Sequence, residues 1–302
     1  MSRVILRGIN GANPLGFFGA LGLLRLAHRA GDSARLGFVD DGTFNAFIEG
    51  HDAELAALVA DDAIRAKDER AWRLEYDKVE KSGNKRVADL KAPPAEFKQY
   101  LERCLVAWRD GDDDAVAYAA AFGTSEALDG KGNTKPTAFH FTAAQQQFLD
   151  IVEEIRASVT AEWAARSLFE GHAARFGKNL RWDPSAERSR ALMANNPSTE
   201  ETSVDAPLEW LAFRALPLLP TVPVQSGSGI VTTAVTGRGS NMNLTWPLWS
   251  VPISLGAARS VLQLAHTGDA VTRSGRGIFA VCSSAIRRNG YYRNFGPSTV
   301  TS

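Results

Sequence analysis

Cysteine is nearly missing from this sequence of 302 residues: Cys104 and Cys282 are the only two, far apart and with no CxxC. A disulfide framework and a thiolate zinc site are thereby excluded, and the composition fits a reducing compartment. Neither charge sign dominates, since 34 Lys and Arg balance 34 Asp and Glu. A uniformly basic nucleic-acid coat is ruled out, so any such surface must come from charge segregated along the chain. Long apolar runs are lacking too. The most apolar stretch near the N-terminus, residues 14–24, ends at Arg25, short of the roughly 20 residues a membrane span needs. The polar Asn10-Gly11-Ala12-Asn13-Pro14 separates it from Arg3 and Arg7, and no small-x-small cleavage site follows. It reads as a buried helix rather than a signal peptide. The expectation is a cytoplasmic protein without a membrane partner.

Signatures of catalysis are also absent. There is no Gly-x-Gly-x-x-Gly, no Gly-Lys-Ser/Thr and no Gly-x-Ser-x-Gly. The entry from Gly8 through Gly11 to Gly16 has the strand-turn-helix context of a dinucleotide site, with Asp40 and Asp41 after the next strand, but not its spacing. Gly19 and Gly22 instead suit close packing of that helix against a sheet. The five histidines (His28, His51, His140, His172, His266) never fall three or four apart, as two ligands on one helical face must. Asp110-Gly111-Asp112-Asp113-Asp114 opens like a calcium loop, yet Ala115 and Ala121 stand where the turn glycine and the bidentate glutamate belong. It reads as a solvated helix start favoured by the helix dipole. No catalytic residue, cofactor or metal is expected.

What is present is a globular chain, 44% hydrophobic and 23% charged, enough for a substantial core and too apolar for wholesale disorder. Periodicity gives a strand at 4–9, a helix from Pro14 with Asn13 as its cap, strands at 36–39 and 44–48, a helix carrying Leu55, Leu58, Val59 and Ala63, and a strand through Trp72, Leu74 and Tyr76. That order is ferredoxin-like. After Pro93-Pro94 the chain turns helical: Phe97, Leu101, Leu105 and Trp108 share a face, and one helix of about seven turns runs over residues 143–169. The last third mixes apolar helices with strands at 221–235, 243–249 and 277–286, and a further strand from Tyr291 after Asn289-Gly290, a strong hairpin signal. The fold class is α+β, in three regions: 1–92 ferredoxin-like, 93–178 helical, and 179–302 of mixed hairpins and helices. Trp182 and Trp246 are read as core.

Charge is unevenly spread. From Thr233 onward there are seven arginines, Arg238, Arg259, Arg273, Arg276, Arg287, Arg288 and Arg293, no lysine, and one acid, Asp269. Arginine suits forked recognition of phosphate and base edges. Arg287-Arg288-Asn289-Gly290-Tyr291-Tyr292-Arg293-Asn294-Phe295 interleaves cations with rings, a combination that holds a backbone and stacks bases. Arg273, Arg276, Arg287, Arg288 and Arg293 are therefore candidate phosphate contacts, with Tyr291 and Tyr292 for stacking. Arg238 sits in a glycine-rich loop permissive of close approach. The turn with Lys81, Lys85 and Arg86 is a second basic element. The bland alternative is an arginine-bearing hairpin whose rings face the core.

The block Arg7-Gly-Ile-Asn-Gly-Ala-Asn-Pro14-Leu-Gly-Phe-Phe-Gly-Ala-Leu-Gly-Leu-Leu-Arg25 resembles the opening of CRISPR-associated proteins of type I-G (formerly I-U) systems. Arg181-Trp-Asp-Pro184, Glu209-Trp-Leu-Ala-Phe-Arg-Ala-Leu-Pro217 and Trp246-Pro-Leu-Trp249 are similar to segments of the short large-subunit-like proteins there. The resemblance implies a non-catalytic subunit of an RNA-guided surveillance complex in antiviral defence. Its partners would be guide RNA and/or target DNA, other effector subunits, and a separate helicase-nuclease that cuts. Guide pairing then reads the target, and protein reads only the flanking motif and the backbone. Two alternatives remain open: a nucleotide-dependent enzyme using the Gly8 to Gly16 entry, and a purely protein-binding scaffold subunit.

Overall fold

The computed structural model describes residues 3–31, 33–50, 54–80, 83–142, 146–171, 174–184, 203–224, 229–264, 269–289 and 292–301. Strand β1 (Arg3–Asn10) leads into α1 (Pro14–Arg29), whose start is fixed by the Asn13 side chain accepting from the N–H groups of Leu15 and Gly16. Proline suits the next position, where an N–H would lack a partner. Then come β2 (Arg35–Phe38), β3 (Asn45–Glu49), α2 (Leu55–Arg65) and the hairpin of β4 (Glu75–Glu80) with β5 (Gly83–Ala88). The middle holds α3 (Pro94–Arg109), α4 (Asp113–Phe122), β6 (Gly123–Leu128), β7 (Thr134–Pro136), α5 (Phe148–Ala157), α6 (Ala161–Phe169) and β8 (Ala174–Phe176). Next are β9 (Ser203–Asp205), α7 (Ala206–Arg214), β10 (Thr221–Pro223), β11 (Ile230–Thr232) and β12 (Val235–Thr236). The chain closes with β13 (Asn243–Trp249), α8 (Leu255–Leu264), α9 (Ala270–Gly275), β14 (Ile278–Asn289), β15 (Tyr292–Phe295) and β16 (Thr299–Thr301). Helices and small antiparallel sheets are mixed throughout, as the α+β class requires. No helix among the described residues is long and apolar enough to cross a membrane.

The first sheet has the order β1-β3-β2, all antiparallel, so α1 connects two strands with β3 between them. A ferredoxin-like sheet needs a fourth strand beside β1. Of the strand expected through Trp72, Leu74 and Tyr76 only Tyr76 lies in a strand, β4, which pairs with β5 in a separate hairpin, and the four-stranded sheet is not completed among the described residues. The long helix expected over 143–169 is two helices, because Thr160 leaves the helical path and caps α6 through Trp163 N–H. The strand expected over 221–235 divides into β10, β11 and β12, the first two paired as a hairpin. On α3 the buried set is Phe97, Tyr100 and Cys104, so Leu105 and Trp108 lie outside the core face expected for them, 44% and 50% exposed.

One cluster of buried residues extends from Leu6 to Phe295 and draws on all three regions. Its axis is α1, buried from Pro14 through Ala27. Gly19 and Gly22 of α1 do serve close packing, but against a helix and not a sheet. A Cβ on Gly22 would come within 1.8 Å of the Leu211 carbonyl oxygen, and one on Gly19 within 2.3 Å of Leu208 Cδ1, both on α7. The large C-terminal sheet runs β12-β13-β14-β15, with β16 also on β14. It is tied to the first sheet by a Leu36–Ile253 bridge and by Trp249 Nε1 donating to the Leu36 carbonyl at 2.7 Å. Trp182 and Trp246 are fully buried, as expected.

Candidate nucleic-acid interface

The candidate arginines fall at the two ends of β14. At the far end, β14 and β15 pair Arg288 directly with Arg293, and Arg287 with Asn294. Directly opposed residues project to the same side of an antiparallel pair, so Arg288 and Arg293 share a face, in step with buried Ile286 and Phe295. Arg293 is half-buried. Burial, and then the charge of Arg288, pull its guanidinium below the usual arginine range. Arg287 projects to the other side and lies over Gly296, where a Cβ would come within 2.5 Å of its Nε. Phe295, opposite Ile286, is fully buried against Phe18, Phe139 and Phe141, so that ring anchors the hairpin to the core. Tyr291 lies outside the described residues; Tyr292 is placed only as the strand partner of Asn289.

Arg238 belongs to this end. Its loop needs glycine on both sides: Gly237 and Gly239 have φ of 77° and 62°, and a Cβ on Gly237 would sit 2.0 Å from the Asn241 carbonyl oxygen. Ile286 N–H donates to the Met242 carbonyl and Asn243 pairs with Ala285, which sets the exposed Arg238 loop beside the base of the hairpin. Arg273 and Arg276 do not join this group. They precede Ile278, nine residues before Arg287 along an extended strand, a separation of about 30 Å. Theirs is the end that meets the first sheet, since Ile278 pairs with Trp249.

The second basic element is largely self-compensated. Arg86 lies 3.6 Å from Glu75 and 3.5 Å from Asp77 on the facing strand. Lys85 is exposed, opposite Lys78, and Lys81 lies outside the described residues. The Gly8 to Gly16 entry is filled by protein. A Cβ on Gly8 would strike the Ser167 carbonyl at 1.8 Å, one on Gly11 the Phe38 ring at 2.4 Å, and one on Gly16 the Asn10 carbonyl at 2.1 Å. With Asn13 on the first helical N–H groups as well, no cradle for a phosphate is open there.

The densest polar cluster was not anticipated from sequence. Arg214 is 1% exposed; its Nη1 donates to Glu69 at 2.6 Å and to Tyr118 Oη at 2.9 Å, and its Nη2 to Asp62 at 2.8 Å. Arg25, also buried, donates to the Arg214 carbonyl at 3.2 Å and to Asp114. Trp210 Nε1 donates to the other Asp62 oxygen. Asp114 is thus an internal counter-ion, not only part of the solvated helix start expected for it. A cavity of about 580 Å³ opens beside this network, lined by Arg29, Arg65, Asp62 and Glu69 among others. Arg29, Asp62, Glu69 and Arg214 on its wall are already paired with one another or with Asp114, and the cluster joins α1, α2, α4 and α7. A signal for it did exist: Arg25 and Arg214 are lone charges inside apolar helical runs.

Glu209 is a third such residue. It is 2% exposed and accepts from Leu180 N–H at 3.0 Å. Burial, reinforced by Asp183 and Asp205, pushes its carboxyl up to about 8. No group of three or more His, Cys, Asp or Glu among the described residues is arranged to hold a metal ion. No known family model matches the chain, and no curated protein matches it.

Proposed function

We propose that the chain is a non-catalytic, nucleic-acid-contacting subunit of an RNA-guided type I CRISPR effector complex. The observation that carries this reading is the Arg288–Arg293 pair. Like charges opposite one another weaken a hairpin, and here one of them is also half-buried. A phosphate suits the space between the two guanidiniums, with the Arg238 loop beside the base of the hairpin, and Arg287 offers a separate contact on the other side. The resemblance of four sequence blocks to type I-G large-subunit-like proteins supports the same assignment, with guide RNA or target DNA as ligand and cutting left to a separate helicase-nuclease. The exposed end of α3, with Leu105, Val106 and Trp108, suits a chain that lives among protein neighbours. The three strands and two helices of the N-terminal region are read as an incomplete ferredoxin-like unit, and the compartment as cytoplasmic.

The test is binding of labelled RNA and DNA by the full chain across a salt series. Three phosphates, one shared by Arg288 and Arg293 and one each on Arg238 and Arg287, give a log–log slope of about −2.7 on duplex DNA. Arg288→Glu with Arg293→Glu is expected to weaken binding at least about tenfold, uniformly across sequences, and to reduce the salt slope by about 1. Wild-type affinity in that variant would defeat the assignment.

A further inference from the structure

The register of the first sheet sorts its residues onto two faces. Val4, Ile48 and Leu36 form one cross-strand row and Leu6, Ala46 and Phe38 another, all turned to the core side with α1. The alternate rows, Arg3–Glu49–Arg35 and Ile5–Phe47–Gly37, project to the opposite face. Phe47 is buried there without joining the core cluster. Its ring lies across Gly37, where a Cβ would come within 2.3 Å of it. The Arg3 guanidinium carbon lies over that ring, 4.0 Å from its centroid, while its Nε donates to Glu49 at 2.7 Å. Even so, the Arg3 side chain remains 50% exposed. Ile5 is 43% exposed; Arg7, one residue past the last regular pair of β1 with β3 (Leu6 with Ala46), is exposed, as is Arg35. Among the described residues no carboxylate lies within ion-pair distance of Arg7 or Arg35. Glu49, the only acid in the two rows, is engaged by Arg3.

We infer that the exposed Arg3, Ile5, Arg7 and Arg35 around buried Phe47 form a second nucleic-acid contact and that it takes a single strand. A guanidinium held over an aromatic ring and half-exposed can stack against an unpaired base. Ile5 supplies apolar surface beside it, and Arg7 and Arg35 take phosphates. The three cations spread over about 10 Å across the strands and about 13 Å along β1, too wide for one small anion and suited to an extended polyanion. A duplex has no unpaired base to lay on Arg3. The inference rests on the reading that the chain contacts nucleic acid, but on residues distinct from the hairpin.

The experiment is fluorescence anisotropy of a labelled 20-nucleotide oligouridylate with the full chain. Arg7→Glu with Arg35→Glu alters exposed positions only, so an unchanged melting temperature is expected. Affinity should fall about tenfold or more, and two lost single-strand contacts should reduce the salt slope by about 1.4. Arg3→Lys keeps the charge and loses the plane: affinity should drop severalfold for the base-bearing strand and not for an abasic strand of equal length. Equal affinity of the Arg7/Arg35 variant and wild type, with weakened binding by the Arg288/Arg293 variant, overturns this inference alone. Failure of wild type to bind any oligonucleotide overturns both readings, and so does capture of polyglutamate in place of oligouridylate, which marks an acidic protein partner.

Discussion

Arg214, Glu209 and Cys282 are polar or reactive groups held where water does not reach, and each behaves accordingly. Burial pulls the Arg214 guanidinium down, but Tyr118, Asp62 and Glu69 outweigh it and hold the charge firmly in place. Arg214→Leu strands buried Asp62 and nearly buried Glu69, and is expected to cost about 3–5 kcal/mol in urea denaturation. Glu209 binds its proton more tightly folded than unfolded. Between pH about 4.5 and about 8 the native state therefore holds the extra proton, and stability falls as pH rises through that window. Glu209→Gln should flatten this slope and raise the melting temperature at pH 8 and above; an unaltered pH profile would show that the carboxylate is ionised at no cost. Burial also pushes the thiols of Cys104 and Cys282 up to about 11 and about 12. A thiol-specific reagent at neutral pH should label neither until the chain unfolds.

Elements were legible wherever their signals are local. Asn13-Pro14 fixes the start of α1 because a side-chain acceptor and a missing N–H solve the capping problem within one turn. The break between α5 and α6 was not legible, since Val152, Ile155, Val159 and Trp163 keep helical spacing across it. Only the Thr160 cap separates the two; Thr160→Ala is expected to lower stability by about 1 kcal/mol, read from the denaturation midpoint. The purpose of Gly19 and Gly22 was legible but their partner was not. Gly22→Ala would force α1 away from the α7 backbone and should cost about 1–3 kcal/mol or more. Gly42→Ala, at positive φ with no atom within 4 Å, should cost only about 1 kcal/mol. If the two variants melt alike, helix contact does not set the price at Gly22.

At the scale of the whole molecule, the seven-to-one excess of arginine over acid after Thr233 is a property of the sequence, and it singled out the hairpin. Charge counting could not divide that set. β14 is long enough to carry Arg276 and Arg287 to opposite ends of the C-terminal sheet, so the tail's arginines act as two groups and not as one face. Nor could it single out Arg3, Arg7 and Arg35: the first 35 residues hold five arginines to one acid, Asp32, but charge counting does not show that Arg25 and Arg29 are taken by Asp114, or that β3 inserts between β1 and β2 and sets Arg35 across from Arg3. The sequence by itself determined the α+β class, the buried first helix, its cap, and where positive charge accumulates, because each depends on neighbours within a few residues. Tertiary structure alone decided which glycine meets which helix, which arginine is neutralised by a buried carboxylate, and which is left to face solvent. Those outcomes depend on strand register and helix contact between segments far apart in the chain, 189 residues in the case of Arg25 and Arg214, where periodicity and composition carry no information.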